Sequence, residues 1–351
     1  MAMTERIGAL LSEIYGSTIG AEIAPKVADL LSSYRESIER PSSFGGDIAE
    51  GDLPLDETDS LVITYGDQFR GPDKTPLAYL LDFLDEDLDA TVGGVHILPF
   101  FPYSSDDGFS IIDYRKVNPE MGTWEDVESI AEEFRLMADL VLNHCSKESE
   151  WFEAFKEGAK PYDRYFITVE RGTDLSSVVR PRALPLVHEY DTSTGKKLVW
   201  TTFSEDQVDL NFAEPAVLLE MLDVFLGYVA RGVQIVRLDA IAYLWKEIGT
   251  SSIHHPKTHA VVKLFRAVVE AVAPWVVIIT ETNVPHEENI SYFGTDGDEA
   301  HMVYQFSLPP LVLDAFLRER VDHLFEWASS LPPVRPDVTF FNFLASHDGV
   351  G

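Results

Sequence analysis

Seven short apolar runs rich in β-branched residues punctuate this chain: 60–67 (SLVITYGD), 93–100 (GGVHILPF), 136–144 (LMADLVLNH), 233–240, 275–282, roughly 301–306 and 337–346. Continuous apolar runs of that length predict strands buried on both faces. Between most of them lie segments with apolar residues at helical spacing, such as PLAYLLDFLDEDL, TWEDVESIAEEF and PAVLLEMLDVFLGYVARG. In TWEDVESIAEEF, Thr123 is the expected N-cap and Asp126 stands at the capping-box position. Helices alternating with buried strands predict a parallel sheet with crossover connections. The fold class expected is α/β, a (β/α)8 TIM barrel. Only seven strands precede Gly351, so the barrel is expected to be truncated after strand 7.

Two stretches depart from that alternation. Residues 1–59 carry helical spacing (Ile7, Leu10, Leu11, Ile14; then Ile23, Val27, Leu30, Leu31) and run through PSSFGG. They are expected to form a helical N-terminal extension. Residues 145–212 hold aromatics, prolines and strand-like pieces such as RYFITV and KLVWTTF. That is too long for a loop in a compact domain, so a small inserted domain is expected after strand 3. The barrel itself would then comprise 60–144 and 213–351.

Composition narrows the setting. The 351 residues are 45% hydrophobic, enough for a large core. The N-terminus has no secretory pattern, and no apolar run approaches the roughly 18 residues of a membrane span. A single cysteine, Cys145, excludes an intramolecular disulfide framework and is read as a packing residue. These features predict a cytoplasmic protein. The formal net charge is −32, from 59 acids against 27 bases, of which 11 are lysines. Such a field repels nucleic acid and anionic membranes, so neither is expected as a partner. It also means that any anion site needs local arginines. A halophilic source is the preferred explanation of the charge, because a salt-rich cytoplasm screens the self-repulsion.

Three of the strands end in an acid: VRLDAI (236–241), ITETN (279–283) and FLASHDG (343–349). A strand that stops at a carboxylate puts it on the rim of the sheet, so Asp239, Glu281 and Asp348 should gather at the C-terminal face of the barrel. Paired carboxylates on a rigid rim suit glycosidic-bond chemistry. Arg237 lies two residues before Asp239, on the same strand face, where it would hold that acid ionised and oriented.

DLVLNH, VRLDAI, TETN and ASHDG together resemble, in order, the four signature segments of the α-amylase superfamily. LPFFPYSSDDGFSIIDY and RPRALPL resemble its sucrose phosphorylase-like branch. GTSSIHHPKTH, ITETNVPHEENISYFG and DEAHMVYQFSLPPLVL look most like the glucosylglycerate phosphorylases within that branch. The resemblance implies an Asp239 nucleophile that forms a covalent glucosyl–enzyme, a Glu281 general acid/base and an Asp348 that grips sugar hydroxyls. Those first two carboxyls should lie about 5 Å apart, as retention requires. It further implies that His144 and His347 donate to glucose hydroxyls, that Asp106 binds near the 4-hydroxyl and that Phe109 is an aromatic platform. Arg180 and Arg182 match an arginine-bearing acceptor loop, and a planar fork suits phosphate or a carboxylate. Members of the family continue past the point where this sequence stops, with an eighth strand and a C-terminal β domain.

Blander readings stand beside these. Asn143 is open between a substrate-side contact and a structural hydrogen bond. Asp139, inside its strand, is read as a buried orienting partner. His254, His255 and His259 have a spacing that suggests a metal, but no Cys or acid cluster supports one, and a surface loop is preferred. The resemblance implies an enzyme, a hexosyltransferase that moves α-glucosyl from a small-molecule sugar substrate to inorganic phosphate as co-substrate, with no cofactor and no metal. Glucosylglycerate is the expected donor, with sucrose or a sucrose phosphate next. The alternatives are a retaining α-glucosidase or amylase-like hydrolase and an inactive truncated relic. The sequence does not give the oligomeric state.

Overall fold

The computed structural model describes residues 3–42, 53–88 and 91–349. In chain order, α1 (Met3–Tyr15), α2 (Ser17–Tyr34), β1 (Leu61–Thr64), α3 (Pro76–Phe83), β2 (Gly94–Ile97), α4 (Trp124–Glu133) and β3 (Arg135–Val141) come first. Then come β4 (His144–Ser146), α5 (Glu150–Glu157), β5 (Thr168–Val169), β6 (Val187–Thr192), β7 (Gly195–Trp200) and β8 (Gln207–Asp209). The chain continues through α6 (Pro215–Ala230), β9 (Val233–Asp239), α7 (Pro256–Val272), β10 (Val277–Thr280), α8 (His286–Ile290), β11 (Met302–Tyr304), α9 (Leu308–Arg318), α10 (Asp322–Ser330) and β12 (Thr339–Phe341).

Seven strands form one sheet in the order β1-β2-β3-β9-β10-β11-β12, every pair parallel. These are the seven apolar runs of the sequence. The sheet curls: Leu61 on β1 and Phe341 on β12 pack on one apolar cluster with Met137, Ile235, Val277, Ile279, Met302 and Tyr304. This is the barrel architecture expected. A cavity of about 900 Å³ lies between the end strands, lined by Leu61, Ile63, Tyr304 and Phe341 among others.

Strand periodicity explains how the inner face becomes polar toward one end. On β9, Ile235, Arg237 and Asp239 share a face, and Val236 and Leu238 point to the helical side, where they join the main core. The register sets Asp139 of β3 and Ile279 of β10 beside Arg237. Moving up the barrel, the inner face therefore passes from an apolar layer to a buried ionic layer, and then to the acids at the rim.

The helices form as their sequences dictate. Thr123 caps α4, and its backbone N–H donates to Asp126 Oδ2 at 2.8 Å. The helix expected over 76–88 changes character: α3 passes into a π-helical turn at Leu84–Leu88. α1 packs on α2 and α7, and α2 also packs on α6. Tyr15 donates to the Phe212 carbonyl at 2.8 Å and Tyr34 to Asp223 Oδ1 at 3.0 Å. The buried residues of these two helices include the expected Ile7, Leu10, Leu11, Ile14, Ile23 and Val27. The PSSFGG stretch lies, from residue 43 on, outside the described residues.

Between β3 and α6 the chain builds two small antiparallel sheets, β4-β8 and β5-β7-β6. Val178, Leu186 and Trp200 form a separate apolar cluster under the second. Among the described residues, no helix is long and apolar enough to cross a membrane.

Candidate active site

The ionic layer is built around one buried guanidinium. Arg237 Nη1 donates to Asp139 Oδ1 at 2.5 Å and to Asp239 Oδ1 at 2.7 Å. His96 Nε2 lies 2.7 Å from Asp139 Oδ2. Burial alone would raise the Asp139 carboxyl, but His96 and Arg237 outweigh it and hold it at about 2. Asp139 is thus a charged, fully buried partner that orients Arg237, as its place inside the strand suggested.

The two rim acids beside it differ. Burial pushes the Asp239 carboxyl above its usual range, opposed by Arg237. Burial pushes Glu281 up to about 7; Arg237 works against this and the charge of Asp239 adds to it. The Ala240 N–H, one residue past Asp239, donates to Glu281 Oε2 at 3.2 Å. Ala240 adopts φ 51°, a left-handed conformation unusual for alanine.

These groups open onto a cavity of about 380 Å³. Asp239, Glu281 and Asp348 line it, and so do Asp106, Phe109, His144, Arg237, His347 and Arg182. Residues from six separate stretches of sequence are therefore brought to one place. His347 stacks on Phe109, ring centroids 5.2 Å apart, and Arg237 lies 5.6 Å from the Phe109 centroid. Burial lowers the His347 pKa. Its Nε2 is 3.4 Å from Asp348 Oδ2, and the Asp348 side chain is 69% exposed.

Two expected residues, Arg180 and Asn143, lie outside the lining. Arg180 is exposed and lies outside the lining, while Arg182 pairs with Asp106 Oδ2 at 3.4 Å and lies over the Phe203 ring. The Val179 N–H bonds to the Ser251 carbonyl at 2.9 Å, which ties the start of the arginine loop to the segment after β9. Asn143 is fully buried and outside the lining, with its Nδ2 3.1 Å from His144 Nδ1.

The loop with Asp106 and Phe109 is held from below. Asp206 Oδ2 accepts from Ser104 at 2.6 Å, from Ser110 at 2.7 Å and from Ser105. Asp106 itself accepts from Gln207 Nε2 at 2.8 Å. Gln207, Tyr65, Phe203, Tyr243 and Asn283 line the cavity without having been singled out from sequence. Asn283 closes the ITETN motif and was within reach. Gln207 and Phe203 become neighbours of the site only through the fold of the insertion.

Of the three histidines near 254–259, His254 lies in the loop before α7, and the other two belong to that helix and its cap. His255 caps α7 by accepting from the Lys257 N–H at 3.2 Å, and His259 lies on that helix. Each has its own carboxylate: Glu288 for His254 at 3.1 Å, Glu247 for His255 at 3.2 Å and Glu299 for His259 at 2.7 Å.

The family model described as "Alpha amylase, catalytic domain" matches residues 78–333. The chain is 63% identical to the glucosylglycerate phosphorylase of Spirochaeta thermophila, over 100% of this chain and 59% of that protein. It is 48% identical to the glucosylglycerate phosphorylase of Escherichia coli, over 99% of this chain and 61% of that protein. The crystal structure of sucrose 6F-phosphate phosphorylase from Thermoanaerobacter thermosaccharolyticum superposes with a TM-score of 0.73 at 29% identity, covering 84% of this chain and 60% of that one. The chain thus spans 59 to 61% of the length of these curated relatives.

Proposed function

As the chain belongs to the α-amylase family, we propose that it carries the catalytic centre of a retaining α-glucosyl phosphorylase whose donor is glucosylglycerate. The observation that carries this reading is the pair formed by Asp239, held by Arg237, and Glu281, whose carboxyl sits near 7. Two adjacent carboxyls in different environments can divide the roles of nucleophile and proton donor. In the first step an Asp239 oxygen attacks the anomeric carbon. The bond to the glycerate oxygen breaks, and Glu281 gives that oxygen its proton. In the second step phosphate attacks the glucosyl ester, Glu281 takes the phosphate proton and Asp239 leaves. Two inversions give α-glucose 1-phosphate.

The remaining residues serve those steps. His144, His347, Asp106 and Asp348 surround the sugar with donors and acceptors, and Phe109 offers a face to its ring. Arg182 supplies a cation at the cavity for phosphate, and for the carboxylate of glycerate in the reverse direction. The high identity to two glucosylglycerate phosphorylases supports this donor over sucrose or its phosphate. The route uses phosphate as a co-substrate and calls on no cofactor. The single buried thiol of Cys145 suits a reducing cytoplasm.

The test is incubation of the full-length protein with glucosylglycerate, with and without phosphate. Phosphate-dependent release of glucose 1-phosphate is expected. Release of free glucose at a rate indifferent to phosphate would make it a hydrolase, and no turnover would make it a relic.

A further inference from the structure

Beneath the cavity lies a polar group that the proposed chemistry does not use. Lys246, at the end of the run IAYLWK, has a side chain only 2% exposed. Its ammonium is 2.6 Å from Asp209 Oδ2 and also donates to Asn143 Oδ1. Asn143 Nδ2 lies 3.1 Å from His144 Nδ1 and 3.3 Å from Asp209 Oδ2. His144 Nε2, at the cavity, lies 3.1 Å from the Phe109 carbonyl oxygen and 3.1 Å from Gln207 Nε2. Asp209 is fixed in turn by the Thr202 N–H at 2.8 Å and by the Thr202 hydroxyl. Lys246 follows β9, Asn143 follows β3 and Asp209 ends β8, so three elements meet here.

An ammonium has donors and no acceptor, whereas an ionised carboxylate has acceptors and no donor. Lys246 therefore demands the carbonyl end of the Asn143 amide, and Asp209 demands its NH2 end. With both ends assigned, Asn143 can only donate to His144 Nδ1. That nitrogen then carries a lone pair, and the imidazole proton sits on Nε2, where the Phe109 carbonyl oxygen can accept it and the neighbouring Gln207 NH2 has Asp106 Oδ2 as its own acceptor. Lys246 also offsets the charge of Asp209. Burial lowers the His144 pKa, Asp209 and Asp239 act to raise it, and Lys246 acts to lower it. The ring stays neutral, with one proton in one place.

We propose that Lys246 and Asp209 are positioning residues that clamp the Asn143 amide and thereby fix the His144 proton on Nε2, at the cavity, where the Phe109 carbonyl and a sugar oxygen share it. The sugar contact rests on the phosphorylase reading above; the proton assignment does not. This clamp joins the insertion to the barrel at the point where the histidine leaves β3, so sugar recognition depends on a contact between chain segments about 60 to 100 residues apart.

Ring-15N histidine labelling of the resting full-length protein reads the proton position directly, and loss of a signal in His144→Asn assigns it. In the parent protein, Nε2 should be protonated and Nδ1 bare. In Lys246→Met the amide keeps only the weaker of its two constraints, the 3.3 Å contact to Asp209, and the uncompensated charge of Asp209 favours a second proton on the ring, so Nδ1 should gain a proton. Asn143→Asp tests the same logic without removing the ion pair: its carboxylate has only acceptors to offer, and Nδ1 must donate. In both variants the donor KM should rise about tenfold, the effect of one misdirected hydrogen bond. Lys246→Arg, which keeps a donor-only cation, should leave Nδ1 bare. A protonated Nδ1 in the parent protein would overturn the proposal, as would a bare Nδ1 in either folded variant or an unchanged KM after Nδ1 protonation. Failure of the phosphorylase reading shows separately, as absence of glucose 1-phosphate from the parent protein.

Discussion

The backbone N–H of Ala240 donates to the carboxylate of Glu281 across 3.2 Å, joining the end of β9 to the end of β10. Ala240 makes this bond with φ 51°, so the link between the two acid-bearing strands depends on a left-handed residue. A β-branched side chain strongly disfavours that conformation. Ala240→Val should therefore lower stability by about 1–3 kcal/mol and misplace Glu281. Ala240→Gly adopts the same φ freely and should keep both stability and turnover. Thermal melts and donor kinetics on the two variants check this; equal behaviour of valine and glycine would show that the conformation is unimportant.

Asp239→Asn should abolish transfer while leaving the fold intact. The amide has nearly the same shape, and its oxygen can still accept from Arg237, but it cannot form the glycosyl ester. A fall of about a thousandfold or more in kcat is expected. Retention of activity within about tenfold would remove Asp239 from the nucleophile role.

The pH dependence follows from the two carboxyls. In the proposed mechanism donor cleavage needs Glu281 protonated, and burial pushes its pKa up to about 7. The acid form is lost as pH rises through that value, so kcat/KM for the donor should fall on the alkaline side. As the proposed nucleophile Asp239 must be ionised, which gives an acid limb as it takes up a proton. Its midpoint should lie above the ordinary aspartate range, because burial raises the Asp239 carboxyl. Glu281→Gln should abolish the alkaline limb together with most of the activity toward poor leaving groups. An alkaline limb that survives this change belongs to another group.

The rim acids were legible in the sequence because strand geometry is regular. A period of two puts Ile235, Arg237 and Asp239 on one face, and a strand that ends at an acid exposes it at the sheet's edge. Asp139 was readable for the same reason. Lys246 was not, since a lysine that ends an apolar run ordinarily reaches solvent; only the positions of Asn143 and Asp209 make burial tolerable there. Gln207 and Phe203 enter the site through the fold of the insertion, which has no helical or strand period long enough to place them. Arg180 and Arg182 were indistinguishable in the motif RPR. In the fold Arg182 lines the cavity and Arg180 does not.

Salt should stabilise this protein. With a net charge of −32, acid–acid repulsion across the surface grows as the Debye length rises from about 3 Å at 1 M salt to about 10 Å at 0.1 M. The melting temperature of the full-length protein should fall over that range. An unchanged value would leave the acidic surface without a halophilic explanation.

The two arginines of the loop give the sharpest test of the anion site. Arg182 lines the cavity and is paired with Asp106 through one of its nitrogens, which leaves other N–H groups of its fork for an incoming anion. Arg180 is exposed and outside the lining. Arg182→Ala should raise the phosphate KM by about tenfold to a hundredfold, the range for a hydrogen bond to a charged group. Attack of water on the glucosyl–enzyme needs no cation and should change little, so the variant should drift from phosphorolysis toward hydrolysis. In the reverse direction, KM should rise for glycerate and be spared for glycerol. Arg180→Ala should leave all four quantities near those of the parent. Steady-state kinetics with phosphate, glycerate and glycerol decide the matter. Equal losses in the two variants would mean that the loop acts through its shape, and that phosphate is bound elsewhere.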